Sequence, residues 1–336
     1  MKIIVPMAGR GSRLRPHTLT TPKPLIPVGG IPIVHRLVAD IADICQDKIT
    51  DIGFVIGDFG AEIEVELLNV AAKLGAKGYI FHQLEPLGTA HAVLCAEPLL
   101  TGKVVVAFAD TLFKANFTLH EDADGVLWVK QIEDPSAFGV IKMNESGHIV
   151  DFVEKPQTFV SDLAMIGIYY FKHAEALHYE LQFLIDNNIC KGGEYQLPDA
   201  LRNLTVKGVR FVPGEVSEWL DCGNKAVTVE TNRRVLEFDA EKGIDNVSPN
   251  AEIVNSIIIK PCYIGDGTKI VNSVVGPYVS LGKGCTVHDS RIENSLIQNK
   301  TSIKNAVLNQ AMVGSHCKIE LSLRDYSIGD YSTLTH

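Results

Sequence analysis

From Val247 onward an aliphatic residue stands at every fifth or sixth position: Val247, Ile253, Ile258, Ile264, Ile270, Val275, Leu281, Val287, Ile292, Ile297, Ile303, Leu308, Val313 and Ile319. A helix returns a side chain to one face about every 3.6 residues and a strand every two, so this spacing belongs to neither. Gly follows the aliphatic residue at Gly265, Gly276, Gly282 and Gly314, and the pieces Asn255-Ser256-Ile257, Asn272-Ser273-Val274 and Asn294-Ser295-Leu296 share one pattern. A short repeat held in register predicts a solenoid, in which each turn buries its apolar residue against the next. An open solenoid end exposes apolar rungs, which leads us to expect a homo-oligomer.

The chain ahead of the repeat reads differently. Ile3 to Val5, Ile52 to Ile56, Tyr79 to Phe81 and Val104 to Phe108 are short β-branched or aromatic runs, predicted as strands. Between them, Pro32 to Ile44 and Ile63 to Leu74 carry apolar residues at helical spacing, with Pro32 at a first helical position. Alternation of this kind implies an α/β domain, a Rossmann-like mixed, mostly parallel sheet covered on both faces. Lys225 to Phe238 reads as its closing helix, and the charged, turn-prone stretch 239–246 as the connection to the repeat. Two domains are expected, 1–240 and 247–336.

Composition narrows the function classes. With 46% apolar residues a chain of 336 residues has material for a substantial core. No apolar run approaches the roughly 18 residues of a membrane helix, and Ile3-Ile4-Val5 is too short for a signal-peptide core. The formal charge of -9 argues against nucleic acid as a partner, since phosphate-backbone binders carry a basic excess. Seven cysteines without a CxxC pair give neither a disulfide framework nor a zinc site, and fit a reducing cytoplasm.

Ligands of open α/β sheets bind at the carboxyl ends of the strands, which directs attention to the loop after the first one. It reads Met7-Ala8-Gly9-Arg10-Gly11-Ser12-Arg13-Leu14-Arg15-Pro16, followed by Thr21-Pro22-Lys23-Pro24-Leu25-Ile26-Pro27-Val28. The two glycines let backbone amides approach a phosphate chain, while Arg13 offers a planar fork and Lys23 a compact charge. A dinucleotide fingerprint would need a third Gly where Leu14 stands, and an ATPase loop would need Gly-Lys-Ser/Thr.

The block from Val5 to Val28 closely resembles the signature of the sugar nucleotidyltransferases, the family that makes dTDP-glucose, UDP-glucose and GDP-mannose. The resemblance covers residues 1 to about 238, and the repeat beyond it resembles the hexapeptide repeat of left-handed parallel β-helices. It implies a transfer in which a nucleoside triphosphate and a sugar 1-phosphate yield a nucleotide sugar and pyrophosphate. Arg13 and Lys23 are then the catalytic cations, with Ala8, Gly9, Gly11, Gln83 and Gly88 holding the nucleotide. Asp110 and Asp221 take the places of the family's two magnesium-binding carboxylates, although Ala109-Asp110-Thr111 stands where members commonly have Gly-Asp-Asn. Phe138-Gly139-Val140, Val153-Glu154-Lys155-Pro156 and Ile166-Gly167-Ile168 match the sugar-phosphate segments, which assigns Glu154 to hexose hydroxyls, Lys155 to the phosphate, and Gly139 and Gly167 to close backbone contact. Glu194 to Asp199 matches a further family segment, with Pro198 in place of the usual Thr.

The same resemblance favours dTTP or UTP with glucose 1-phosphate, with mannose 1-phosphate guanylyltransferases as the alternative. Gln83 by itself does not exclude purines, because a side-chain amide presents one donor and one acceptor and can be turned either way. Two other readings stay open: a bifunctional enzyme whose β-helix transfers acyl groups with His288 or His316, and a non-catalytic regulatory subunit. His17, His82 and His91 are expected near the cleft in supporting places, and Cys222 has no paired base to make it a nucleophile.

Overall fold

A computed structural model describes residues 1–9, 11–115, 119 and 123–322; Arg10 of the first loop and the chain beyond 322 lie outside that description. The chain divides into two compact units, Met1–Ile26 with Ile31–Val227, and Pro27–Gly30 with Thr228–His336.

In the first unit a nine-stranded sheet runs in the order Lys77–His82, Asp51–Ile56, Lys2–Pro6, Val104–Ala107, Leu163–Phe171, Gly125–Gln131, Phe211–Glu215, Ile149–Glu154, Gly139–Met143. The first four strands are mutually parallel. The inner three, Lys2–Pro6, Asp51–Ile56 and Val104–Ala107, bury their apolar residues without alternation, Ile3, Ile4, Val5, Val104, Val105 and Val106 completely, whereas the edge strand Lys77–His82 is only half-buried. Two of the covering helices are those predicted: α1 (Ile33–Ile44) buries Val34, Leu37, Val38 and Ile41, and α2 (Ala61–Lys73) buries Leu67, Val70 and Ala71. Further along come α3 (Thr89–Leu94), α4 (Ala174–Asp186) and α5 (Leu197–Val206).

Because those four strands point the same way, the loops that leave them at Met7, Gly57, Gln83 and Phe108 all open at one edge of the sheet. The fifth strand, Leu163–Phe171, runs antiparallel to both neighbours, and its pairing with Gly125–Gln131 breaks between Met165 and Tyr169. Gly167, with φ of 85°, sits in that break. The other half of the sheet mixes both directions.

The second unit is the solenoid. Three parallel sheets of short strands stack rung on rung, one beginning with Glu252–Val254, one with Ile257–Ile258 and one with Cys262–Ile264. This architecture fits the left-handed β-helix implied by the hexapeptide repeat. Ile264, Ile270, Val275, Leu281, Val287, Ile292, Ile297 and Ile303 form its core, whereas Ile253 on the first rung remains 40% exposed. The Asn-Ser pieces have a physical reason. Asn255, Asn272 and Asp289 occupy left-handed corners that short polar residues tolerate, and Asn255 Nδ2 donates to Asn272 Oδ1 at 2.8 Å across rungs. The Ser hydroxyls beside them accept the next rung's backbone N–H, Ser273 to Ser256 at 3.0 Å and Ser290 to Ser273 at 3.1 Å.

Helix α6 (Lys225–Glu241) belongs to this unit from Thr228 on. Its fully buried Asn232 accepts hydrogen bonds at Oδ1 from the Gly29 N–H at 2.9 Å and the Ser280 hydroxyl at 2.7 Å. Among the described residues no helix is long and apolar enough to cross a membrane.

Candidate active site

The first loop is shaped by where its few apolar residues go. Met7 stays in the core and its N–H donates to Val55, while Leu14, also buried, anchors a short 3-10 turn, Ser12–Leu14. Between these anchors Arg13 is left exposed. Gly11 enters the turn at φ of 57°, where an added Cβ would lie 3.0 Å from both the Lys23 Cβ and the Thr18 methyl, and the Thr18 hydroxyl donates to the Gly11 carbonyl at 2.8 Å. The loop is thus folded back on the Lys23 segment.

Lys23 is itself buried, with Nζ 3.2 Å from Asp110 Oδ2. Asp110 follows the strand Val104–Ala107, and its carbonyl accepts the Cys222 N–H at 3.0 Å. The strand Glu218–Asp221 pairs antiparallel with Thr111–Lys114, Asp221 opposite Thr111, so the two aspartates predicted to bind metal are joined through one short ribbon. Burial pushes the Asp221 carboxyl above the usual range; Lys23 pulls it back, and the negative charge of Asp110 pushes it up again. Thr111, where the resemblance had led to Asn, accepts the indole N–H of Trp219. Arg13, Lys23, Asp110, Gly9 and Gly11 line one cavity of about 270 Å³, together with Gly223.

A larger cavity of about 690 Å³ is lined by Ala8, Gly9, Gln83 and Gly88, and the two cavities share Pro6, Met7, Gly9 and Phe108 as walls. Gln83 follows the strand Lys77–His82, and its own N–H continues the pairing by donating to Ile56 at 2.8 Å. Its side-chain nitrogen donates to the Gly88 carbonyl at 3.0 Å and lies 3.1 Å from His91 Nδ1. Gly88 has φ of 100°, and the segment around it is laced to 195–197: Tyr195 N–H to Leu87, Ala90 N–H to Tyr195, and Leu197 N–H to the Thr89 hydroxyl. Desolvation holds His91 below the ordinary histidine range, against an opposing pull from Glu85.

The predicted sugar residues line neither cavity; Gly139, Glu154 and Lys155 stand together, and Gly167 lies against Phe108. Glu154 and Gly139 stand opposite each other at the end of a strand pair, and a Cβ on Gly139 would come within 2.8 Å of Glu154 Oε2. A side chain there would displace the Glu154 carboxylate and the end of Met165 from their present positions. Lys155 follows in a left-handed conformation, its N–H bonded to the Phe138 carbonyl, with Nζ 4.0 Å from Glu154 Oε1. Gly167 accepts the Phe108 N–H at 3.0 Å. The buried Tyr169 links this cluster to the aspartates: burial raises its phenol, and the charges of Glu154 and Asp110 raise it further, so both carboxylates act on one hydroxyl.

Sequence reasoning did not single out Arg15, Asp58, Phe59 and Phe108, which line the cavities, and it gave Glu194 no role. Asp58 and Phe59 follow the strand Asp51–Ile56. The strand-end rule applied to every parallel strand, and not only to the first, would have found them.

The family model described as Nucleotidyl transferase matches residues 2–237. The chain is similar to a glucose-1-phosphate thymidylyltransferase of Streptomyces griseus, 32% identical over 343 residues covering 95% of this chain and 93% of that one. It is also similar to a glucose-1-phosphate thymidylyltransferase of Streptomyces antibioticus, 30% identical over 99% of this chain and 98% of that one. Among solved structures, a nucleoside-diphosphate-sugar pyrophosphorylase from Vibrio cholerae RC9 superposes with a TM-score of 0.60 at 23% identity, covering 69% of this chain and 99% of that chain. That likeness shows the fold.

Proposed function

The chain belongs to the nucleotidyl transferase family and is a sugar-1-phosphate nucleotidyltransferase, and from that premise we propose that it joins dTTP or UTP to glucose 1-phosphate and releases pyrophosphate. The observation that carries this reading is the shared wall. Pro6, Met7, Gly9 and Phe108 stand between a larger cavity bearing Gln83 and Gly88 and a smaller one bearing Arg13, Lys23 and Asp110. A nucleoside triphosphate has that same division between base and phosphates. Two full-length relatives carrying the thymidylyltransferase name support the choice of nucleotide and sugar.

In the proposed reaction an oxygen of the sugar phosphate attacks the α-phosphorus in line, the new P–O bond forming as the bond to pyrophosphate breaks. The attacking oxygen is already anionic, so the site contributes position and charge and needs no protein nucleophile. Arg13 and Lys23 neutralise the charge that builds on the leaving pyrophosphate. Ala8, Gly9 and Gly11 bring backbone amides to the phosphates. Lys155 holds the sugar phosphate, Glu154 accepts from hexose hydroxyls, and Gly139 and Gly167 keep the backbone open to the sugar.

The donor set suits a hard divalent cation. Asp110 is close enough for its charge to push the Asp221 carboxyl upward, a repulsion that such a cation relieves. Two carboxylates suffice for magnesium, which retains waters and takes substrate phosphates as its other ligands. Asp110 and Asp221 would hold it, and bound there it supplies positive charge to the triphosphate. A homo-oligomer in a reducing cytoplasm, with none of the seven cysteines in a disulfide, completes the reading.

The test is a matrix of kcat/KM for dTTP, UTP, GTP, ATP and CTP against glucose 1-phosphate and mannose 1-phosphate. The highest values are expected for dTTP and UTP with glucose 1-phosphate. They should lie within about tenfold of each other, because one methyl group in a fitted pocket is worth about 1 kcal/mol. Preference for GTP with mannose 1-phosphate would replace the substrate assignment.

A further inference from the structure

The amide of Gln83 is not free to turn. Its nitrogen lies 3.0 Å from the Gly88 carbonyl, which can only accept, and a flipped amide would set oxygen against oxygen. The second hydrogen of that nitrogen points to His91 Nδ1 at 3.1 Å, so Nδ1 must be the acceptor and the ring proton must sit on Nε2. Both amide hydrogens are then used, and among the described residues Oε1 has no partner within the chain. It is the amide's open acceptor in the larger cavity that Gln83 lines.

We propose that His91 is a positioning residue for nucleotide selection: by accepting from Gln83, it fixes the amide as an acceptor toward the base, so the site takes bases that carry a ring N–H. This rests on the base-binding role proposed for Gln83. Thymine and uracil have a single donor on their pairing edge, N3–H, which an outward oxygen meets. Cytosine presents a lone pair at N3 and adenine one at N1, and each would face that oxygen as acceptor against acceptor. Guanine, with N1–H, is not rejected by this contact, and its exclusion must come from elsewhere in the cavity.

A proton on Nδ1 would reverse the contact, since two donors would then face each other, and the amide would lose one of its two restraints. Glu85, in the loop between Gln83 and Gly88, is the charged group that acts on the ring, and Glu194, packed beside Gly88, is a second carboxylate at the same turn. Desolvation keeps the ring neutral at pH 7, with protonation below the ordinary value near 6.5.

The experiment measures KM and kcat for dTTP and dCTP between pH 5.5 and 8 in the wild type and in His91→Asn, His91→Leu and Gln83→Leu, with tripolyphosphate as a competitive probe that lacks a base. Asn keeps an acceptor near Nδ1 but has no proton to gain; Leu has neither. His91→Leu should raise the KM for dTTP about tenfold at pH 7.5, the size of one lost hydrogen bond, with kcat nearly unchanged and discrimination against dCTP reduced. His91→Asn should stay within about threefold of wild type and lack the rise in KM that the wild type shows as pH falls below about 6.5. Substrate phosphates titrate identically in both, so the difference between the two profiles belongs to His91. Tripolyphosphate inhibition should be the same in all four proteins. A wild-type KM and pH profile in His91→Leu would overturn the proposal, as would loss of tripolyphosphate binding along with dTTP. If Gln83→Leu also binds dTTP normally, the base-site reading itself fails; if Gln83→Leu is weakened and His91→Leu is not, only the role of His91 falls.

Discussion

At Asp221 local chemistry and folding stability pull in opposite directions. Its carboxyl is raised above the usual range, first by burial and also by Asp110, with Lys23 compensating in part. A raised carboxyl takes up a proton more readily in the folded chain than in the unfolded one. Its favourable contribution is therefore present at low pH and is lost as pH rises through the folded-state value. At pH 7 the ionised group costs stability in the absence of a cation. Asp221→Asn should accordingly melt at the same or a higher temperature than wild type at pH 7 in chelator, with the difference shrinking toward pH 4. Its magnesium-dependent turnover should fall on the order of 100-fold or more. Thermal melts across pH, paired with a pyrophosphate-release assay, check both halves; a variant less stable than wild type at pH 7 would contradict the stated balance. The sequence made Asp221 a candidate through its resemblance frame. The conflict at the site was not legible there, since it arises from Lys23 and Asp110, distant in the chain and close in space.

Helix α3 and the turn before it show how an element can be specified by what it must avoid. Gly88 has φ of 100° and ψ near 180°, a region essentially reserved for glycine, and an added Cβ would lie 2.4 Å from the Tyr195 carbonyl oxygen. That oxygen is held in place by the Ala90 N–H at 2.9 Å. Gly88→Ala should therefore lose stability by about 1–3 kcal/mol, the usual cost of such backbone strain. It should also raise the KM for the nucleotide, because the Gly88 carbonyl holds Gln83. Denaturant titration and steady-state kinetics test this, and an unchanged midpoint together with an unchanged KM would count against it. The turn was readable in the sequence as a Gly-Thr pair before a helix. Its partner segment 194–197 is marked in the sequence only by the family resemblance, because nothing in chain order says that residues a hundred apart are stitched together.

Across the molecule the division into units does not follow the chain. Four residues near the amino end, Pro27–Gly30, fall in the unit of the solenoid, where the Gly29 N–H and the Ser280 hydroxyl both donate to Asn232 Oδ1. Asn232 is completely buried. Asn232→Ala should leave both donors without their acceptor and cost about 1–3 kcal/mol, read as a lower melting temperature of the full chain. A melt indistinguishable from wild type would show that water replaces the amide there. The sequence by itself determined what is periodic or contiguous: the solenoid from its five- and six-residue spacing, the parallel strands from their β-branched runs, and the loop after the first strand, proposed to meet phosphate, from one unbroken block. These are legible because backbone geometry converts spacing along the chain directly into a face or a turn. Tertiary structure alone decided the pairing of Lys23 with Asp110, the pinning of Gln83 between Gly88 and His91, and the capture of Gly29 by Asn232. Each depends on a distance of about 3 Å, between residues far apart in the chain for Lys23 and Gly29 and, for Gln83, within a turn whose shape is set by its stitching to 195–197, so the packing of the elements was needed to bring the groups together.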